Sequence, residues 1–131
     1  MNRLFISSGA ALAAVAVILG AFGAHALKAK LEAEQLQVFE TGVKYQMYHS
    51  LALILLGILA EKINSQYIGY AGYSFLAGIV FFSGSLYLLS TRSILGIESW
   101  KFLGPVTPLG GLCFISGWVF LLIGILKNKQ I

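Results

Sequence analysis

Residues 4–27, LFISSGAALAAVAVILGAFGAHAL, decide the fold. The run contains no Asp, Glu, Lys or Arg. About 20 consecutive apolar residues cross a hydrocarbon core as an α-helix. The apolar residues are continuous rather than alternating, and a helix satisfies all of its own backbone hydrogen bonds in lipid. The run therefore predicts a transmembrane helix.

Three further apolar stretches follow, at residues 43–60, 67–90 and 108–126. The chain has 131 residues, of which 58% are hydrophobic and 11% are charged. Soluble domains carry about 25% charged residues, and a domain this small buries only a modest part of its surface. The sequence thus predicts a single transmembrane domain over residues 1–131, an all-α integral membrane four-helix bundle.

The first stretch also resembles a secretory signal peptide. Arg3 precedes an apolar run, and Ala24-His25-Ala26 imitates a cleavage site. The apolar run is longer than a typical signal core, and three more spans follow it. We therefore expect the protein to stay in the membrane whether or not this segment is cleaved.

The connections between the stretches differ in character. Residues 28–42 are the most polar segment, and their apolar positions recur at helical spacing: Leu31, Leu36, Phe39 and Val43. This spacing predicts an amphipathic interfacial helix that runs into the second span. Thr107 and Pro108 suit the N-cap and the first position of the fourth helix.

Small residues recur every seven positions along the stretches. A seven-residue period keeps one seam facing a partner helix, and small residues let membrane helices approach closely. The seams predict one compact bundle with these packing residues: Gly9, Ala16, Gly23, Gly57, Gly78, Ser85, Gly110, Gly117 and Gly124.

The formal net charge is +4. The Lys and Arg residues lie at segment ends and in loops, so contact with anionic lipid explains them better than nucleic acid. Their near-equal division between the two membrane sides leaves orientation close to undecided, and we favour both termini in the cytoplasm. The single cysteine, Cys113, excludes an intrachain disulfide.

One group of polar residues lies where the first helix ends and the second begins. Ionisable groups in membrane helices are costly, so each is a candidate site. Three interpretations stay open: a proton relay or metal site, mutual hydrogen bonding that fixes the bundle, and a polar contact with a lipid or small ligand. The residues predicted to meet are His25, Glu40, Lys44, Tyr45 and His49.

Four motifs together carry a family resemblance: residues 19–25 (LGAFGAH), 39–49 (FETGVKYQMYH), 82–87 (FSGSLY) and 105–111 (PVTPLGG). In this order and spacing, the chain resembles the YwdK/YgdD family of small bacterial inner-membrane proteins of unknown function. The resemblance implies four transmembrane helices in the plasma membrane, and it implies no activity.

Three classes of function remain. We expect a non-enzymatic membrane protein, without cofactor or metal, that organises membrane or binds lipid, a second copy or another membrane protein. A small transporter or channel subunit acting as an oligomer is the alternative. Small multidrug transporters carry a carboxylate in the middle of their first helix, and residues 4–27 have none. A membrane enzyme is the least favoured class.

Overall fold

A computed structural model describes residues 1–128, and they form an all-α bundle. Six α-helices follow one another: α1 Arg3–His25, α2 Ala33–Leu59, α3 Gln66–Gly78, α4 Gly84–Ser90, α5 Arg92–Leu95 and α6 Leu103–Lys127. Within residues 1–128, three segments are long and apolar enough to cross a membrane: Arg3–Ala29, Gln66–Ser90 and Leu103–Lys127. The predicted all-α membrane bundle is confirmed.

The first two helices form an antiparallel hairpin. Asn2 caps α1, because its side-chain oxygen accepts from the Phe5 N–H at 3.1 Å. A 3₁₀ turn at Leu27–Ala29 leads to α2, which has 27 residues. The predicted amphipathic segment is helical from Ala33 and continues without a break into the second apolar stretch. The helix α2 is not among the three candidate membrane spans of residues 1–128.

The third span is interrupted by a single π-helical turn. Ile79–Ser83 separates α3 from α4, and the Gly84 N–H bonds back to the Ile79 carbonyl. Gly110 of α6 packs directly against this turn, where a methyl group would meet the backbone of Phe81 and Phe82. Glycine is therefore required for the close approach of α6 to the π turn.

The last helix begins at Leu103, before the start predicted at Thr107 and Pro108. The first N–H groups of a helix have no intrahelical acceptor, so Pro105 is tolerated in the first turn. Pro108 lies inside the helix and leaves the Gly104 carbonyl without its usual N–H partner. The Thr107 hydroxyl, instead of capping the helix, lies 2.6 Å from the Ser85 hydroxyl.

The core is built from aromatic and aliphatic side chains set against small residues. Phe5, Leu53, Leu56 and Phe75 are fully buried. All nine residues of the predicted packing seams are buried in the structure. Gly9, for example, lies against α2, where an added methyl group would come within 2.6 Å of the Ser50 carbonyl oxygen.

Candidate functional site

The centre of the bundle contains a buried polar network. Gln46, His49, Ser50 and Ser83 are each at most 4% exposed. Every buried side-chain nitrogen and oxygen within residues 1–128 has a hydrogen-bond partner. In lipid, each polar group without a hydrogen-bond partner costs roughly several kcal/mol of folding free energy. The pairing of these groups therefore stabilises the bundle.

Gln46 of α2 joins three helices. Its Nε2 donates to the Leu12 carbonyl of α1 at 2.8 Å. Its Oε1 accepts from the Tyr87 hydroxyl of α4 at 2.5 Å. On the same helix, the Ser50 hydroxyl donates to the Gln46 carbonyl at 2.6 Å. The Gln46 side-chain amide therefore fixes the positions of α1, α2 and α4 relative to one another along the bundle axis.

His49 is held on both ring nitrogens. Its Nδ1 lies 2.8 Å from the Tyr45 carbonyl, and its Nε2 lies 3.1 Å from the Trp118 indole nitrogen. A carbonyl only accepts and an indole N–H only donates. The arrangement therefore requires the neutral imidazole with its proton on Nδ1.

Aromatic rings enclose the same imidazole. The Phe114 ring stacks on His49 with centroids 3.6 Å apart and planes 10° apart. The Phe75 ring presents its edge at 5.2 Å. His49 thus lies between α2, α3 and α6, and solvent has no direct access to it.

Two further hydrogen bonds link the third span to its neighbours. The Ser83 hydroxyl, in the π turn, donates to the Gly42 carbonyl at 2.7 Å. The hydroxyls of Ser85 and Thr107 join α4 to α6. Within residues 1–128, no group of three or more His, Cys, Asp or Glu side chains is placed to hold a metal ion.

The structure brings together only two members of the predicted polar cluster. Tyr45 and His49 are neighbours, with ring centroids 6.2 Å apart. The side chains of His25, Glu40 and Lys44 are exposed, and none forms a hydrogen bond or ion pair with another described residue. The four-residue spacing of Glu40 and Lys44 does not produce an ion pair.

Depth explains why the two histidines do not meet. Gln46, one turn before His49, bonds to Leu12 in the middle of α1. His25 follows Leu12 by thirteen helical residues, which corresponds to about 20 Å along the axis. His49 is therefore central, and His25 lies at the end of the bundle.

The sequence pointed to Tyr45 beside His49, but it did not single out Trp118 as the second partner of His49 or Leu12 as a partner of Gln46. Trp118 is 69 residues away from His49 along the chain, and nothing in the local sequence links the two side chains. The Leu12 carbonyl is a backbone group with no signal in the sequence. Gln46 stood on the same helical stripe as Gly42, which is the one local sign that it faces a neighbouring helix.

A second candidate site is a cleft of ≈ 600 Å³ at the end of the bundle opposite the termini. It lies between the start of α2, the end of α4 and the start of α6. Its lining combines charged, polar and aliphatic residues: Glu32, Glu34, Gln35, Val38, Leu86, Leu89, Ser90, Arg92, Gly104, Thr107 and Pro108. The cleft therefore offers charges of both signs beside apolar surface.

The charged groups of the cleft are free to bind a ligand. Glu32, Glu34 and Arg92 are exposed, and their side chains make no ion pair or hydrogen bond within residues 1–128. Gly104 and Pro108, near the start of α6, complete this side of the lining. These groups surround the cleft at the level where α2 and α6 begin.

Comparison with known proteins places the chain in a family. Residues 19–111 match a family described as protein of unknown function DUF423. A UPF0382 membrane protein of Staphylococcus aureus (strain bovine RF122 / ET3-1) is 46% identical over 125 residues, which are 95% of this chain and 97% of the relative. UPF0382 membrane protein YwdK of Bacillus subtilis (strain 168) is 45% identical over 126 residues, 95% of this chain and 98% of the relative. No solved structure matches the chain. The resemblance predicted from the four motifs is confirmed, and the chain belongs to the DUF423 family of membrane proteins of unknown function.

Proposed function

We propose that this protein is a non-enzymatic component of the bacterial plasma membrane that binds a membrane lipid in the cleft between α2, α4 and α6. In this proposal α2 also crosses the membrane, which makes four transmembrane segments in all, and both termini lie in the cytoplasm. The observation that carries the proposal is the cleft itself, in which unpaired charges of both signs stand beside aliphatic surface.

The position of the cleft suits a lipid headgroup. The connection from α4 to α6 carries Trp100 and Phe102, which are exposed and lie with ring centroids 5.5 Å apart. Aromatic side chains concentrate at the headgroup level of membranes. Arg92 lies in the same connection and lines the cleft. A cleft at this level would meet phosphate and glycerol groups.

The packed centre favours lipid binding over transport. A transporter needs a polar path that reaches the midplane of the membrane. Here the central polar groups bond to one another, and Phe114 stacks directly on His49. Because each central donor or acceptor already has a partner, opening such a path would break several hydrogen bonds at once.

Retention of lipid by the purified protein tests the proposal. The full chain, extracted in mild detergent, is expected to carry phospholipid in native mass spectrometry. Arg92→Gln should reduce the lipid-bound fraction, because it removes the cation that would meet the phosphate.

Lys101→Gln is the matched control, since Lys101 is an exposed cation of the same connection outside the cleft. Equal losses in the two variants, or no retained lipid in the parent protein, would contradict lipid binding in the cleft. Ion or solute flux through proteoliposomes of the parent protein would favour the transporter alternative instead.

A further inference from the structure

We infer that the cleft selects phospholipids whose headgroup ends in a primary ammonium, the chemistry of phosphatidylethanolamine. The inference rests on the proposed lipid-binding function and adds the identity of the headgroup. It follows from three properties of the lining: the balance of charge, the hydrogen-bond acceptors and the absence of aromatic rings.

The charged residues of the lining favour a ligand that carries both a positive and a negative charge. Arg92 is the only cation in the lining, and Glu32 and Glu34 are its two carboxylates. A guanidinium binds phosphate through parallel hydrogen bonds. A lipid with a phosphate and no cation would leave both carboxylates facing a negative headgroup. A zwitterionic headgroup satisfies Arg92 and the carboxylates together.

The acceptors favour an ammonium that still has N–H groups. A primary ammonium offers three donors. The cleft supplies acceptors for them in the carboxylates of Glu32 and Glu34. Each methyl group added to the nitrogen removes one of these donors. The headgroup of phosphatidylcholine has none.

Quaternary ammonium groups are recognised in another way, over the faces of aromatic rings. The lining of this cleft contains aliphatic, polar and charged side chains and no Phe, Tyr or Trp. A choline headgroup would therefore lose its hydrogen bonds without gaining a cation–π contact. The lining discriminates against choline on both counts.

The aliphatic part of the lining indicates a lipid rather than a free phosphoamine. Val38, Leu86 and Leu89 form apolar surface beside the charged groups, and Pro108 adds its ring. Burial of apolar surface stabilises a bound acyl chain. A soluble headgroup such as glycerophosphoethanolamine lacks this contribution and should compete only weakly.

A methylation series of lipids tests the inference on the full chain. Delipidated protein in detergent is titrated in native mass spectrometry with dioleoyl phosphatidylethanolamine, its N-methyl and N,N-dimethyl forms, phosphatidylcholine and phosphatidylglycerol. We expect affinity to fall with each methyl group, to about one tenth for phosphatidylcholine, whose nitrogen has lost all three N–H donors. Glycerophosphoethanolamine, added as a soluble competitor, should displace little lipid.

Two double variants, one inside the cleft and one outside it, locate the selectivity. The double variant Glu32→Gln with Glu34→Gln should abolish the preference for the primary ammonium, while phosphate-bearing lipids still bind. Glu40→Gln and Glu98→Gln, which alter exposed carboxylates outside the cleft, should preserve it. Equal affinity for the amine and choline lipids in the parent protein would overturn the inference and leave lipid binding standing. Binding of none of the lipids would overturn the inference and the proposed function together.

Discussion

The Trp118 indole donates a hydrogen bond to His49 Nε2 across 3.1 Å, joining α6 to α2 at the centre of the bundle. Because the other ring nitrogen bonds to the Tyr45 carbonyl, the imidazole has no remaining site for a second proton without losing Trp118. His49 is therefore a neutral packing residue in this fold, with its ring stacked on Phe114 and both ring nitrogens hydrogen-bonded.

Replacing His49 with alanine should destabilise the protein strongly. The change removes a buried ring that stacks on Phe114 and leaves the Trp118 N–H unpaired. We expect the free energy of unfolding to fall by about 2–4 kcal/mol. Thermal denaturation in detergent, followed by circular dichroism, measures it. His25→Ala is the control, since His25 is exposed and should tolerate the change; equal losses would contradict the assigned depths.

Trp118→Phe isolates the hydrogen bond from the packing. The variant keeps an aromatic ring beside Phe75 but removes the N–H that faces His49. The expected loss of stability is about 1 kcal/mol, and the His49 nitrogen signals in NMR should shift as Nε2 loses its donor. Trp100→Phe, at an exposed site, should change neither. Unchanged nitrogen signals in Trp118→Phe would disprove the contact.

Two glycine substitutions should differ in their effect on stability. In Gly110→Ala, the new methyl group would collide with the backbone of Phe81 and Phe82, which cannot move aside as a side chain can. We expect a loss of about 1–3 kcal/mol. Gly84→Ala has no heavy atom within 4 Å of the added carbon and should keep or raise stability. Melting temperatures of the pair decide the matter, and a stable Gly110→Ala would refute the close approach.

Pro108→Ala tests the interruption of hydrogen bonding in α6. Alanine restores the N–H that bonds the Gly104 carbonyl in an α-helix, so the melting temperature should not fall. Thermal denaturation in detergent measures the change. A lower melting temperature than that of the parent protein would contradict the missing bond.

Cysteine labelling tests whether α2 crosses the membrane. In a Cys113→Ser background, single cysteines replace Glu34 near the start of α2 and Lys62 just beyond its end. With α2 spanning and the termini in the cytoplasm, an impermeant maleimide added to intact cells should label the cysteine at position 34 and spare that at 62. The reverse pattern would invert the orientation, and labelling of both would contradict the crossing.

Much of the fold could be predicted from the sequence. Apolar run lengths predicted the first and third spans well, because a bilayer sets the length of a helix directly. The start of α6 at Leu103 was missed because the Thr107-Pro108 pair resembles a helix beginning, and local chemistry alone does not exclude an earlier first turn. The π turn at Ile79–Ser83 has no signature in the local sequence, and it lies where Gly110 of α6 packs against the backbone of the third span.

The candidate site was less predictable. The motif at residues 39–49 does contain Gln46 and His49, but their depth depends on where α2 begins. The sequence predicted an interfacial helix up to residue 42 and a span from Val43, whereas Ala33–Leu59 is one continuous helix that packs along α1, with Phe39 against Gly23. The ten residues from Ala33 to Gly42 add about 15 Å along the helix axis, which separates His49 from His25. The cleft could not be foreseen, because it is formed by three segments far apart in the sequence.

The α1–α2 hairpin has a consequence for biosynthesis. Its tightest contacts, Gly9 against Ser50 and Ile54, Gly57 against Ile6, and the amide of Gln46 on Leu12, all lie within the first half of the chain. The ribosome delivers this half first, and segments that can pack early do so before the rest emerges. We therefore expect the hairpin to be the first part of the bundle to pack. α3 and α6 would then dock on a surface already in place, with the Trp118–His49 bond among the last to close.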